Sequence, residues 1–363
     1  MKSSPLHAAM LATFLLSVGS IAQADTPPVE FPANAFPSTY QPLPAQTTLI
    51  RHATIFTGTG ERIDDGAVLL RDGKVAAIGT QIDAPAGAVV IDAKGKFVTP
   101  GLVDVHSHLG VYPSPSVAST ANGNEMTNPN TAQVMAEHSV WPQDPGFNTA
   151  RAGGVTTLQI LPGSGNLIGG RSVVLKNVPA ITVQAMKFPD AAYGLKMACG
   201  ENPMRVYGSR KQFPSTIMGD VAGYRQAYAD AQAYDRQWKD WQAKRKAKGA
   251  DKAGPPPKRD LGKETLAKVL NGQILIQMHC YRSDEMAVML DVAKEFGFKI
   301  TAFHHAVEAY KIPHLLAASG TCAAMWADWW GFKMEAWDGI RANIAMVDAG
   351  GACALIHSDD ANG

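Results

Sequence analysis

Val98-Thr99-Pro100-Gly101-Leu102-Val103-Asp104-Val105-His106-Ser107-His108 is an apolar run that stops on a His-x-His pair. Side chains alternate between the two faces of a strand, so His106 and His108 present their imidazoles to one point. Imidazole suits Zn²⁺, Fe²⁺ and related ions, but two ligands do not close a metal site. A true ligand pair therefore demands further His, Asp, Glu or Lys at other strand ends. Alone, the pair is equally compatible with two packed histidines beside a turn.

Downstream of His108, apolar runs alternate with longer helical or loop segments, the pattern of parallel strands joined by crossovers. Strands are expected at Val103–His106, Val155–Ile160, somewhere within Ser172–Met186, and at Gly194–Cys199, Gln273–His279, Lys299–His304, Thr321–Trp326 and Ala352–His357. Eight such strands predict an α/β fold of the (β/α)₈ TIM-barrel type spanning residues 98–363, with reactive groups at the C-terminal strand ends. Upstream, short alternating runs at Thr48–Phe56, Ala67–Leu70, Val75–Ile78 and Val89–Ile91 are punctuated by glycines, and Asp72-Gly73 signals a hairpin. Residues 48–97 thus read as a small antiparallel unit, part of a β-sandwich.

The remaining strand ends supply what the histidine pair demands. Lys196 lies on Gly194–Cys199, His279 ends Ile274–His279, His304-His305 end the next strand, and Asp359 follows Ala354–Ser358. Strands that bury an apolar run and stop on His or Asp are poorly explained by packing. The set is far more specific than any one member.

Taken together, Val98–His108, His279-Cys280-Tyr281-Arg282-Ser283-Asp284, His305-Ala306-Val307-Glu308-Ala309-Tyr310-Lys311 and His357-Ser358-Asp359-Asp360 make the chain resemble the amidohydrolase superfamily, close to its imidazolonepropionase-like and prolidase-like members. The resemblance implies a hydrolase of C–N bonds in which His106, His108, His279, His305 and Asp359 surround one or two divalent ions, Zn²⁺ first among them. It implies that Lys196, carbamylated, bridges two ions, with Glu201 as the runner-up for that place. Carbamylation needs a neutral amine, and a desolvated lysine beside cations has its pKa pushed down. His305 is preferred to His304 because the His-x-x-Glu-x-Tyr pattern aligns with His305, Glu308 and Tyr310, leaving His304 to packing. Asp359 would accept a proton from a metal-activated water, as hydroxide attacks an amide or cyclic amide, and return it to the leaving nitrogen. A mononuclear deaminase would not need Lys196, and a truncated, non-catalytic metal-binding fragment is the reading from outside enzymology. The superfamily's chains continue past the eighth strand; this one stops at Gly363, so a closing helix and part of the sandwich are expected to be missing and sheet edges exposed.

Other motifs read more plainly. Gly163–Arg171 is glycine-rich but lacks a P-loop ending, and is expected as a flexible loop over the barrel mouth. Arg205, Tyr207 and Arg282 suit a substrate carboxylate but are explained as well by surface ion pairing. His138, His314 and His357 read as packing histidines or as residues standing behind the metal ligands, and Trp326, Trp329, Trp330 and Trp337 as aromatic packing around the seventh strand ahead of the lining of an apolar substrate pocket. Residues 221–260, basic and ending in Gly254-Pro255-Pro256-Pro257, read as a solvated helix and mobile turn inserted between barrel elements.

Hydrophobic residues at 46% and charged residues at 18% describe a globular protein, and a net charge of +1 gives no general field for nucleic acid or an anionic membrane. The expected partner is a small-molecule or peptide-like substrate. Lys2, the apolar Ala8–Ile21 stretch and Ala22-Gln23-Ala24 read as an export signal over residues 1–24, leaving no membrane anchor after cleavage and placing the protein in a periplasm or outside the cell. Residues 25–47, rich in proline, read as an extended lead-in with no core of its own. Cys199, Cys280, Cys322 and Cys353 form no C-x-x-C unit and are expected as buried free thiols.

Overall fold

The computed structural model describes residues 31–249 and 252–359; the export signal lies outside them. The first of two sheets comprises β1 (Thr48–Phe56), β2 (Arg62–Arg71), β3 (Lys74–Gly79), β4 (Val89–Asp92) and β5 (Phe97–Val98). Asp72-Gly73 forms the expected hairpin: both residues take positive φ, and Arg71 pairs with Lys74 across them. The unit is nevertheless one mixed five-stranded sheet and not wholly antiparallel, because β4 and β5 lie parallel to β1. Residues 80–88 carry the chain back to the start of β1, where Val89 pairs beside Thr48, and a strand entered from that end can only run parallel.

The second sheet is built from β6 (Leu102–Ser107), β7 (Val155–Ile160), β8 (Ile168–Lys176), β9 (Gly194–Ala198), β10 (Leu275–Cys280), β11 (Ile300–His305), β12 (Cys322–Met325) and β13 (Ala354–Ile356), neighbours in chain order. Every adjacent pair is parallel except those made by β8, which runs antiparallel to β7 and β9. Residues 161–167 between β7 and β8 are too few for a crossover, so the chain turns straight back. The sheet curls until its two ends nearly meet: His106 of β6 and His357, just past β13, stack with ring centroids 4.8 Å apart. No ladder joins β13 to β6 among the described residues, so the barrel is a curled, parallel-rich half-barrel.

Around it lie α1 (Pro145–Ala152), α2 (Val183–Met186), α3 (Glu201–Gly208), α4 (Ile217–Lys248), α5 (Leu261–Leu270), α6 (Ser283–Phe296), α7 (Pro313–Ser319) and α8 (Asn343–Ala349). Side-chain caps start several of them, Asp144 on α1, Thr216 on α4 and Asp260 on α5. The segment expected as a solvated insertion is mostly α4, and it is not solvated on every side. Tyr224, Tyr228, Ala231, Tyr234 and Trp238 recur at helical spacing and are buried. The Tyr224 hydroxyl donates to the Ala198 carbonyl and the Tyr228 hydroxyl to Met197 Sδ, so α4 backs the strand that carries Lys196.

The proline-rich lead-in is also no loose end. Its backbone supplies acceptors to buried cations: Arg171 donates to the Ala33 carbonyl at 3.1 Å, Lys187 to that of Phe36 at 2.6 Å, and Lys268 to that of Phe31. The Arg259 guanidinium stacks 3.8 Å over the Phe31 ring. Buried donors need partners, and an extended chain with free carbonyls provides them. The cysteines, expected as free thiols, pair as Cys199–Cys280 and Cys322–Cys353. The first pair joins neighbouring strand ends 81 residues apart in the chain, a proximity that spacing alone does not reveal. No helix among the described residues is long and apolar enough to cross a membrane.

Candidate metal centre

The curl of the second sheet brings the six expected site residues to one rim. β6 delivers His106 and, just past its end, His108; β9 delivers Lys196, β10 His279 and β11 His305, while Asp359 follows β13. Asp359 Oδ1 lies 3.5 Å from the Nε2 atoms of both His106 and His108, and Oδ2 lies 3.7 Å from His305 Nδ1. Lys196 Nζ is 3.2 Å from His106 Nε2, and the His279 ring packs 4.5 Å from that of His305. His305 and Asp359 reach these positions with φ of 70° and 64°. Non-glycine residues adopt such values at a cost, and strain of this kind clusters at functional sites.

Hydrogen bonds fix which nitrogens face the pocket. Gln277 Oε1 accepts from His304 Nε2 at 2.7 Å, so His304 Nδ1 accepts in turn from His106 Nδ1 at 2.8 Å. The His106 Nε2 lone pair is thereby left pointing inward. The Leu161 carbonyl accepts from His108 Nδ1 at 2.8 Å, with the same result for His108 Nε2. Burial, reinforced by the Lys196 charge, pushes all the cluster's histidines toward the neutral form, His108 and His357 to about 3. Burial likewise lowers the Lys196 ammonium to about 8, against the pull of Asp359. A neutral amine is therefore accessible just above neutrality.

These residues fit a metal. Separations of 3.5 to 3.7 Å are too long for strong hydrogen bonds. A tetrahedral ion with bonds of about 2.0–2.2 Å holds its ligand atoms roughly 3.3–3.6 Å apart. Nδ1 of His279, His305 and His357 is buried with no hydrogen-bond partner. His357, expected to pack or to stand behind the ligands, lies in the cluster: it groups with His106 and His305, and its Nε2 accepts the His305 backbone N–H at 3.3 Å. Glu201 lines the cavity beside Arg205, 3.8 Å away, while Lys196 is the group in contact with His106.

In front of the cluster opens a cavity of about 410 Å³, walled by Tyr281 and Phe332 and bearing Ser164, Asn202, Arg205 and Lys333. Asn202 and Lys333 were not singled out from the sequence. Asn202 bonds Ser164 at 2.8 Å and Lys333 at 3.1 Å, and its amide approaches His279 Nε2 at 3.4 Å. Nothing in their local sequence marks them, because the start of α3 and a loop far along the chain bring them together. Arg282 is forked onto Asp284 and Tyr207 is buried, so of the three residues considered for a carboxylate only Arg205 lines the cavity. Trp326 is buried against the His305 ring at 4.3 Å, while Trp329 is half exposed. The Gly163–Arg171 segment is mostly buried rather than mobile: Asn166 ties it to the carbonyls of Glu125 and Asn128.

The chain is 35% identical to a crystallised amidohydrolase from Thermotoga maritima MSB8, with a TM-score of 0.77 over 87% of this chain and 78% of that one. The chain belongs to the amidohydrolase superfamily. Amidohydrolase tasK of Hapsidospora irregularis is 33% identical to it over 343 residues, 86% of this chain and 35% of that protein. Imidazolonepropionase of Ralstonia nicotianae is 36% identical over 126 residues, 30% of each. This amidohydrolase chain therefore spans about a third of the length of these curated relatives. No protein-family model matches it.

Proposed function

We propose that the protein hydrolyses the C–N bond of an amide or cyclic amide in a small, peptide-like substrate, using one or two divalent ions, Zn²⁺ first among them. His106, His108, His279, His305 and Asp359 would hold the metal, and Lys196, carbamylated, would bridge a pair. The observation that carries this reading is the placement of His106 Nε2, His108 Nε2 and His305 Nδ1 at 3.5 to 3.7 Å from Asp359, beside the partnerless Nδ1 atoms of His279 and His357. A bound ion supplies Lewis acidity, lowering the pKa of water and polarising a carbonyl. Asp359 takes the proton of the attacking water and returns it to the leaving nitrogen. Tyr281 and Phe332 exclude water from the apolar part of the substrate, and Asn202 and Lys333 orient its polar end. The half-barrel is read as a (β/α)₈ barrel with one reversed strand. Two disulfides favour an oxidising compartment, periplasmic or extracellular.

The test loads the purified protein with Zn²⁺ or Mn²⁺ and screens dipeptides, N-acyl amino acids and cyclic amides, with metal counted by elemental analysis. Hydrolysis of one class with one or two ions per chain is expected; a folded protein that retains no metal would overturn the reading. Lys196→Ala separates the binuclear from the mononuclear form. The count should fall from two to one, and an unchanged count of two discards the bridge.

A further inference from the structure

The two disulfides sit at opposite ends of the second sheet. Cys322 opens β12 and Cys353 stands just before β13, so their bridge ties two strands at the N-terminal rim, away from the histidine centre. Cys199 comes directly after β9 and Cys280 is the last residue of β10, so the other bridge ties two strands at the C-terminal rim, beside the centre. In (β/α)₈ barrels the C-terminal rim carries chemistry and the N-terminal rim stability.

The rim bridge is woven into the ligands' own backbone. Cys280 follows His279 in the chain and lies opposite His305 in the β10–β11 ladder, and its carbonyl accepts the Ala306 N–H at 3.0 Å. Cys199 is three residues from Lys196, and its N–H donates to the His279 carbonyl at 2.9 Å, one step past the ladder's final pair of Ala198 with His279. There the chain leaves the sheet: Gly200, with φ of +80°, turns it into α3. That helix has no side-chain cap from its own N-cap residue, and Glu335 accepts the Glu201 N–H at 2.7 Å in its place. Asn202 and Arg205 of α3 line the cavity, and the Asn202 amide approaches His279 Nε2 at 3.4 Å. A strand end that turns away so soon after its last ladder bond is prone to fray. A looseness of about 1 Å is enough to spoil a site built on it.

We propose that the Cys199–Cys280 bridge is a positioning element of the metal centre: it clamps the end of β9 to the end of β10 and so holds Lys196, His279 and the start of α3 in register. The Cys322–Cys353 bridge serves stability alone. This role rests on the reading that the histidine centre holds a metal. Both bridges restrict the unfolded chain, across separations of 81 and 31 residues, so the loss of either lowers stability. Loss of the first also loosens the ligands.

The experiment replaces each pair by alanine in the full chain, Cys199→Ala with Cys280→Ala and, separately, Cys322→Ala with Cys353→Ala. Substitution is preferred to reduction, because thiolates freed at Cys199 and Cys280, within 4.8 Å of each other and of Glu285, would offer Zn²⁺ a rival site. Zn²⁺ affinity is read by competition with a chromophoric chelator, and the visible spectrum of the Co²⁺-loaded protein reports the coordination geometry. Both variants should melt below the wild type. The first should bind Zn²⁺ about 10–100-fold more weakly, with an altered Co²⁺ spectrum, while the second keeps the wild-type affinity and spectrum. Wild-type affinity in the first variant, or an equal loss in both, overturns the positioning role and leaves the metal centre standing. A wild-type chain that binds no metal overturns the centre and this role with it. If the first variant does not fold, Cys199→Ala with Cys280→Val, which refills part of the lost volume, is measured in its place. Failure of both to fold assigns the bridge to stability and overturns the positioning role.

Discussion

Two clusters of buried polar side chains hold this molecule together in opposite ways. Behind the lead-in, Lys187 Nζ donates to Glu137 at 2.7 Å, to Asn34 Oδ1 at 3.0 Å and to the Phe36 carbonyl at 2.6 Å, while the Tyr193 hydroxyl donates to Glu137 Oε1 at 2.7 Å. At the rim, His279, His305 and His357 each keep a buried nitrogen with no partner, and Asp359 stands too far from its histidines for strong hydrogen bonds. Burial is alike in the two places; satisfaction is not. A buried cluster whose charge and hydrogen bonds close on themselves is architecture, whereas one with inward lone pairs left over is shaped for something that binds. Removing a group from the first should cost stability, and from the second, chemistry.

The sharpest way to break that distinction is Asp359→Asn. If Asp359 moves the proton, kcat should fall by about 10²–10⁴-fold, with an unchanged circular dichroism spectrum and a melt close to that of the wild type. A loss under tenfold would move the proton-transfer role to another residue.

Acid should act on the rim next, because its histidines titrate together. In the metal-free protein, burial pushes His106, His108, His279, His304, His305 and His357 below their ordinary value, His108 and His357 to about 3. Below about 6.5 the unfolded chain binds protons that the folded one refuses. Their contribution is therefore fully present above that pH and is lost as pH falls toward 3. Asp104, raised to about 6 by burial, opposes the trend, as do Glu285 at about 7 and Asp220 at about 8. These acids are outnumbered below 6.5 and prevail above it. Melting temperature without metal should drop from pH 6.5 to 5, and added Zn²⁺ should restore part of that drop within this window by trapping neutral imidazoles. A flat profile from 6.5 to 5 would mean that the histidines are solvated.

On the other side of the comparison, Lys187→Met should destabilise the fold by about 3–5 kcal/mol, since it strands the Glu137 carboxylate in the interior. Metal content per folded chain should not change. Lys187→Met combined with Glu137→Leu should recover much of the loss in denaturant melts. A double variant as unstable as the single would put the cost in the lost lead-in contacts instead.

The histidines of the rim were legible in the sequence because they stand at the ends of apolar strands, and a strand that stops at His106, His279 or His305 is hard to explain by packing alone. The brace was not, because Lys187, Glu137 and Tyr193 lie in unremarkable surroundings, and the lead-in that completes them reads from its prolines as loose chain. The reversed β8 was hidden in the same way: apolar content marks a strand but not its direction, which the short 161–167 connection sets. Tyr224, Tyr228 and Trp238 carried a helical stripe, outweighed in the reading by the lysines and arginines of the same helix. Cys199 and Cys280 were misread because a pairing across adjacent strands belongs to the topology and not to the spacing.

The smallest effect tests whether the rim's lone pairs are set from behind. The Gln277 side chain bonds His304, which is not a proposed ligand; it accepts from His304 Nε2, and that bond obliges His304 Nδ1 to accept from His106. In Gln277→Leu the His304 proton is free to move to Nδ1, where it meets the proton on His106 Nδ1. One way out places the His106 proton on Nε2, facing the pocket and blocking a metal. Affinity for Zn²⁺, measured by competition with a chromophoric chelator, should fall about 10–100-fold, while KM for substrate at saturating metal stays near the wild-type value. An altered KM with undiminished metal affinity would mean that Gln277 shapes the cavity and not the ligand.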